Sequence, residues 1–225
     1  NTMRSIEGII EGDDFLQRHY RKVIALTPSP ECTLVPSPLY DPALKDEYYR
    51  FNIPASDGVN VFSNPLPFPG AVVLFTPMQG VAEVLAAHWP GLTPWHHTRP
   101  LLHHAFTSCR SSEERYLHLH IEKSFITIII IEKRNLIFCN NFRCTTPGDA
   151  AYYLFNVFDK TGVRNNETLH VSGTVEPYSE THISILNFTE NVRFSTPSVR
   201  HSYSYVMNEI PMHRWLNLFT AASCE

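Results

Sequence analysis

The clearest pattern of apolar and polar positions lies in the second half of the chain. From Tyr116 to Ile121 the residues alternate, with Leu117, Leu119 and Ile121 on one face and His118, His120 and Glu122 on the other. That is the period of a half-buried strand. Phe125 to Ile131 is apolar apart from Thr127, as expected of a central strand covered on both faces. Glu132 to Asn135 reads as a polar turn, and Leu136 to Phe138 opens a return strand that extends toward Cys144. Thr145-Thr146-Pro147 then starts a helix whose apolar face is Ala150, Ala151, Leu154, Phe155 and Phe158, with Gly162 as its stop. Thr168 to Val171 is a short strand followed by Ser172-Gly173. Residues 178–192 fit neither period cleanly and are assigned to helix, with Ser179 as cap. Trp215 to Phe219 is an apolar end expected to tuck against the body.

The first half is less regular. Residues 13–20 read as the end of a helix, Val23 to Leu26 as a short strand, and Thr27 to Pro38 as extended or turning because of its prolines. Asp41-Pro42 signals a helix start, running to about Tyr49. Val59 to Phe62 reads as a strand and Asn64 to Gly70 as a proline-rich link. Ala71 to Phe75 is a buried strand, and Thr76-Pro77 is expected to open a helix through Met78, Val81, Ala82, Leu85 and Ala86, ended at His88 to Gly91. Residues 92–112 are broken by proline, and the polar stretch Ser108 to Glu114 is the expected boundary between two lobes, residues 1–111 and 112–225. Strand, Thr-Pro, helix occurs in both halves, as in a duplicated α/β fold.

Composition narrows the chemistry. The chain has 225 residues, 43% of them hydrophobic, with 14 Phe, 10 Tyr and 3 Trp, enough to build a core. It has only 9 glycines against 17 prolines. No two glycines are adjacent and no G-x-G occurs, so the glycine loops that bring backbone N–H groups onto phosphates are absent. Eighteen basic against 22 acidic residues give a net charge of −4, without the basic stripe of a nucleic-acid binder. Five scattered cysteines without C-x-x-C imply reduced thiols and a cytoplasmic setting. No apolar run reaches the roughly 20 residues of a membrane span.

His88, His96, His97, His103 and His104 cluster in sequence, but Pro90, Pro94 and Pro100 break the segment, and surface or loop positions are expected rather than a metal site. His118, His120 and Glu122 share one strand face, and a polar face is favoured over a ligand set. G-x-S-x-G is absent. All seven Asp fall in expected helix or loop, so the converging carboxylates of two-metal chemistry are missing. Cys139 and Cys144 read as small buried apolar residues.

The stretch YLHLHIEKSFITIIIIEKRNLIFCNNFRC, then TTPGDAAYYLFNVFDKTG, then TLHVSG resembles the second half of an actin-like ATPase, or ribonuclease H-like, fold. VIALTPSPECTLVPSPLYDP extends the likeness to an uncharacterised family of Bacteroidetes proteins with this fold, distantly similar to the pilus-assembly actin-like proteins. The family's first β-hairpin would lie before Asn1. The resemblance implies two related lobes with mixed sheets flanked by helices, and ATP bound in the cleft between them. It also implies an Asp-x-Gly phosphate motif on the first hairpin of the second lobe. Here His120 stands at the Asp position and Glu122 at the Gly position. Histidine is a poor Mg²⁺ ligand, and a carboxylate repels phosphate.

The expectation is therefore a non-catalytic binding or scaffold protein with a degraded nucleotide site and a protein or peptide as its partner. No resident cofactor is expected. The nucleotide-site candidates are His120, Glu122, Ser124, Thr127, Ser172 and Gly173. An active ATPase using ATP with Mg²⁺ is the alternative, and a metal-dependent enzyme using the histidines is a third reading.

Overall fold

The computed structural model describes residues 2–54, 59–109, 115–197 and 205–224. The chain divides into two compact units, Asn1–Arg99 and Pro100–Glu225. The lobe boundary expected at 111/112 lies outside the described residues, as do Asp57 and Gly58.

In the first unit, helix α1 (Thr2–Gly12) comes first. The helix expected to end within 13–20 ends at Gly12 instead. There the Asp13 carboxylate accepts the Phe15 N–H at 2.8 Å and turns the chain. The short strand β1 (Leu26–Thr27) begins where the predicted one ends. It pairs in parallel with β5 (Trp95–His96). Between them β2 (Cys32–Pro36), β3 (Phe62–Leu66) and β4 (Ala71–Phe75) form an antiparallel sheet in the order β2-β4-β3. All five residues of the central β4 are buried, as their unbroken apolar run requires. The predicted strand at 59–62 is displaced into the expected link, because β3 is an edge strand. Paired with β4 alone, an edge strand tolerates the missing N–H of Pro65.

Asp41 caps a 3-10 turn through the Ala43 N–H, and this leads into helix α2 (Lys45–Asn52). From α2, Tyr49 enters the cluster of Val35, Val61, Val72 and Leu74. Its hydroxyl meets Thr76 Oγ1 at 2.9 Å. Thr76 therefore opens no helix. Helix α3 (Val81–His88) starts after Gly80, whose φ of 81° is left-handed, and Met78 is exposed.

The histidine-rich segment holds a helix that sequence reading denied it. Helix α4 (Thr98–Ser108) tolerates Pro100 because its first-turn N–H groups have no intrahelical acceptor. His96, His97 and His104 are buried rather than on the surface. His96 Nε2 lies 3.0 Å from the Ser29 carbonyl, and its backbone N–H donates to Asn64 Oδ1 at 2.7 Å. Burial pulls its pKa down to about 4.

The second unit carries a five-stranded sheet built from β6 (Arg115–Ile121), β7 (Phe125–Glu132), β8 (Asn135–Arg143), β9 (Leu169–Gly173) and β10 (Val192–Phe194). The order is β10-β9-β6-β7-β8, with β6, β7 and β8 antiparallel and β9 and β10 parallel to β6. Lys133 and Arg134 make the β7–β8 turn with φ of 51° and 64°. Helix α5 (Pro147–Thr161) opens with a capping box between Thr146 and Asp149 and stops at Gly162, with φ of 66°. Helix α6 (Glu180–Leu186) is capped by Ser179, and α7 (Leu216–Ala221) closes the chain.

Leu117, Leu119, Ile121, Ile126, Ile128 and Ile130 face the core shared with Leu154, Phe158 and Ile185 of α5 and α6. The pleat turns the intervening residues of β6, β7 and β9 to the opposite face. Three-residue β10 carried too little pattern to be read from sequence.

Candidate functional site

The β6 face opposite α5 and α6 holds most of the predicted site. Cross-strand register aligns Asn141 with Thr127, Thr127 with His120, and His120 with Ser172. One row of side chains thus crosses β8, β7, β6 and β9. His118, His120, Thr127 and Ser172 are each at most 1% exposed. The polar face expected of His118 and His120 is buried, and buried polar groups need partners.

They have them. Ser172 Oγ lies 2.8 Å from His118 Nε2 and 2.8 Å from His120 Nδ1. His120 Nε2 lies 3.0 Å from Glu122 Oε1, and Thr127 Oγ1 donates to Asn141 Oδ1 at 2.7 Å. The Tyr116 hydroxyl is 3.4 Å from His118 Nδ1. One hydroxyl, able both to donate and to accept, thus serves both imidazoles. Asn217 from α7 reaches the same His120 Nε2 at 3.0 Å. The atom that approaches is the amide Nδ2.

His118 is held well below the ordinary histidine pKa, first by burial and then by the neighbouring His104, His120 and His170. His104 is pulled to about 4 by burial, with His170 and His103 adding to the shift. His104 meets His118 edge-on at 5.7 Å, and Tyr116 stacks on His170 at 4.5 Å. Burial pushes the Tyr116 hydroxyl up to about 12.

Ser172, His120 and Glu122 have the connectivity of a Ser-His-Glu triad, but Ser172 has no exposed surface. A nucleophile must meet its substrate, and this one is spent on two imidazoles. Gly173 is needed by the fold. Its φ is 94°, and a Cβ there would collide with the Ile121 carbonyl. Its N–H donates to the His213 carbonyl at 2.9 Å. Ser124 stands apart, exposed on the β6–β7 turn, where its carbonyl accepts the Cys144 N–H. Among the described residues no group of three or more His, Cys, Asp or Glu side chains is placed to hold a metal ion. Also among them, no helix is long and apolar enough to cross a membrane.

Sequence reading identified His120, Glu122 and Ser172 but treated His118 only as one of the strand's polar positions. It missed Asn217, which lies 97 residues from His120 in sequence and had no local signal.

The family model described as "Protein of unknown function (DUF3822)" matches residues 1–192. Two solved structures are similar in fold. One is a Bacteroides thetaiotaomicron protein with actin-like ATPase fold and unknown function. It matches at a TM-score of 0.83 and 19% identity, over 100% of this chain and 82% of that one. The other is the PilM–PilN type IV pilus biogenesis complex, matched at a TM-score of 0.58 and 15% identity, over 98% of this chain and 84% of that one. No curated protein matches the chain.

Proposed function

Because the chain belongs to the family of proteins of unknown function DUF3822 and has the actin-like ATPase fold, we propose that it is a non-catalytic binding or scaffold protein. In this reading the place of the nucleotide grip is taken by internal structure. The observation that carries it is the hydrogen-bond chain His118–Ser172–His120–Glu122. At the hairpin where the fold's ATPases present Asp-x-Gly to Mg²⁺ and phosphate, this chain presents an imidazole already bonded to a carboxylate. Nε2 of His120 is occupied by Glu122 and Asn217. Any phosphate brought there would meet the Glu122 charge.

The partner in this reading is a protein or peptide. That PilM, with the same fold, occurs in a complex with PilN supports the class of partner and no more. No disulfide joins any of the five cysteines, which supports a cytoplasmic setting. Calorimetric titration with ATP·Mg²⁺ tests the proposal. The expected result is no saturable heat, whereas micromolar affinity would overturn the reading in favour of a working ATPase.

A further inference from the structure

The sheet face opposite α5 and α6 also bounds a cavity of about 570 Å³ at the Arg115 end of β6. The length of β6 puts that end about 20 Å from the β6–β7 turn and Glu122. Strand register turns Tyr116 of β6, His170 of β9 and Arg193 of β10 to this face, and Ser195 follows two residues after Arg193. All four line the cavity. Three of them carry binding capacity that the fold leaves unused. Ser195 Oγ is buried without a hydrogen-bond partner. It is near enough to the Tyr116 hydroxyl to moderate that group's pKa, yet outside hydrogen-bond geometry. The half-buried His170 ring stacks on Tyr116, but neither ring nitrogen has a hydrogen-bond partner among the described residues. Arg193 has no ion-pair partner among them either.

Spacing and charge indicate the ligand. Arg193 stands beside His170 in parallel register, about 4.8 Å across the strands, and Ser195 lies about 7 Å further along. A guanidinium and a hydroxyl at that spacing can hold one oxyanion between them. The other charges on the cavity are already matched. Arg115 pairs with Glu132 at 3.0 Å and with Glu167 at 3.1 Å, and Glu167 also accepts the Arg164 N–H. Two carboxylates on one guanidinium would repel a dianion such as phosphate, whereas a carboxylate brings a single charge to Arg193. The remaining wall is rich in hydroxyls, from Ser108, Thr168 and Thr196, which suits a polar body. The volume is that of a small-molecule site.

We propose that this cavity binds a small hydroxylated carboxylic acid, with its carboxylate on Arg193 and Ser195 and a hydroxyl on His170. The inference goes beyond the binding-protein reading and does not depend on it. His170 reports on occupancy. It faces Tyr116 and His118 of β6, His104 of α4 and Arg193 of β10. Its pKa is lowered first by burial and then by the Arg193 charge. A carboxylate on Arg193 offsets the second cause, so the pKa rises toward 6.5 when the ligand binds.

Nuclear magnetic resonance of the histidine side chains in the whole chain tests it, with glycerate, gluconate and glucuronate as probes. Glucose and inorganic phosphate are the comparisons. At least one of the three acids is expected to shift the His170 signals saturably and to raise its pKa, while glucose does neither. Arg193→Gln, on an exposed side chain, is expected to weaken that binding about tenfold or more and to leave the circular dichroism unchanged. Ser195→Ala is expected to weaken it severalfold without loss of stability, because the hydroxyl has no partner to lose. No saturable shift with any acid overturns the proposal, as does binding that leaves His170 unmoved or is indifferent to Arg193→Gln. Glucose binding as well as the acids, or phosphate binding more tightly than all three, also overturns it. The outcome is separate from the ATP·Mg²⁺ titration, which concerns the other end of β6.

Discussion

His120 Nδ1 and Ser172 Oγ face each other at 2.8 Å across the β6–β9 pair, in exact cross-strand register. The serine hydroxyl also serves His118, so one buried oxygen satisfies two imidazoles. Ser172→Ala removes both partnerships and leaves His118 Nε2 and His120 Nδ1 buried without them. The expected cost is about 2 kcal/mol, since unpaired buried polar groups lose their hydration without compensation. Urea denaturation of the wild type and variant measures it. A change of a few tenths would mean that water or relaxation replaces the hydroxyl.

Gly173→Ala is expected to be far more damaging. The substitution combines a left-handed φ of 94° with a collision between Cβ and the Ile121 carbonyl. A loss of at least about 3 kcal/mol is expected, seen as insoluble expression or a collapsed urea midpoint. A Gly173 variant thus cannot report on nucleotide chemistry, because it removes the β6–β9 pairing first.

Stability should fall in acid through the buried histidines. His96 and His104 are pulled to about 4 and His118 and His170 are lowered, so folding favours their neutral forms. The contribution is complete above the unfolded value near 6.5. It is lost as pH falls from there through the folded values, by up to about 1.4 kcal/mol per pH unit for each histidine. Urea midpoints measured across that window should drop, and His104→Gln should flatten the drop. A pH-independent midpoint contradicts the burial.

The β7–β8 turn offers a gain. Lys133 and Arg134 both occupy left-handed backbone, which suits Asn-Gly in a two-residue hairpin. The double substitution Lys133→Asn, Arg134→Gly is expected to stabilise the unit by about 1 kcal/mol, read as a higher melting temperature. An unchanged melting temperature would show that the strain is already relieved elsewhere.

Local pattern was enough where one force dominates. The apolar run at 125–131, the alternation at 116–121 and the Thr-Pro and Gly signals around α5 each produced the expected element. They failed where a distant group outbid the local signal. Thr76 looked like a helix cap, but its hydroxyl belongs to Tyr49, 27 residues away. Pro65 and Pro100 looked like breakers, but one lies on an edge strand and the other in a helix's first turn.

The site divides in the same way. By itself the sequence determined that His120 and Glu122 share a strand face and that a short strand starts near Leu169, because strand period is a local property; Ser172-Gly173, read as following that strand, are its last two residues. Only the tertiary structure decided that Ser172 stands between two imidazoles, that Asn217 closes on His120 and that Thr127, His120 and Ser172 are buried. Register between strands and the docking of α7 are set by the packing of surfaces far apart in the chain, which no window of sequence contains.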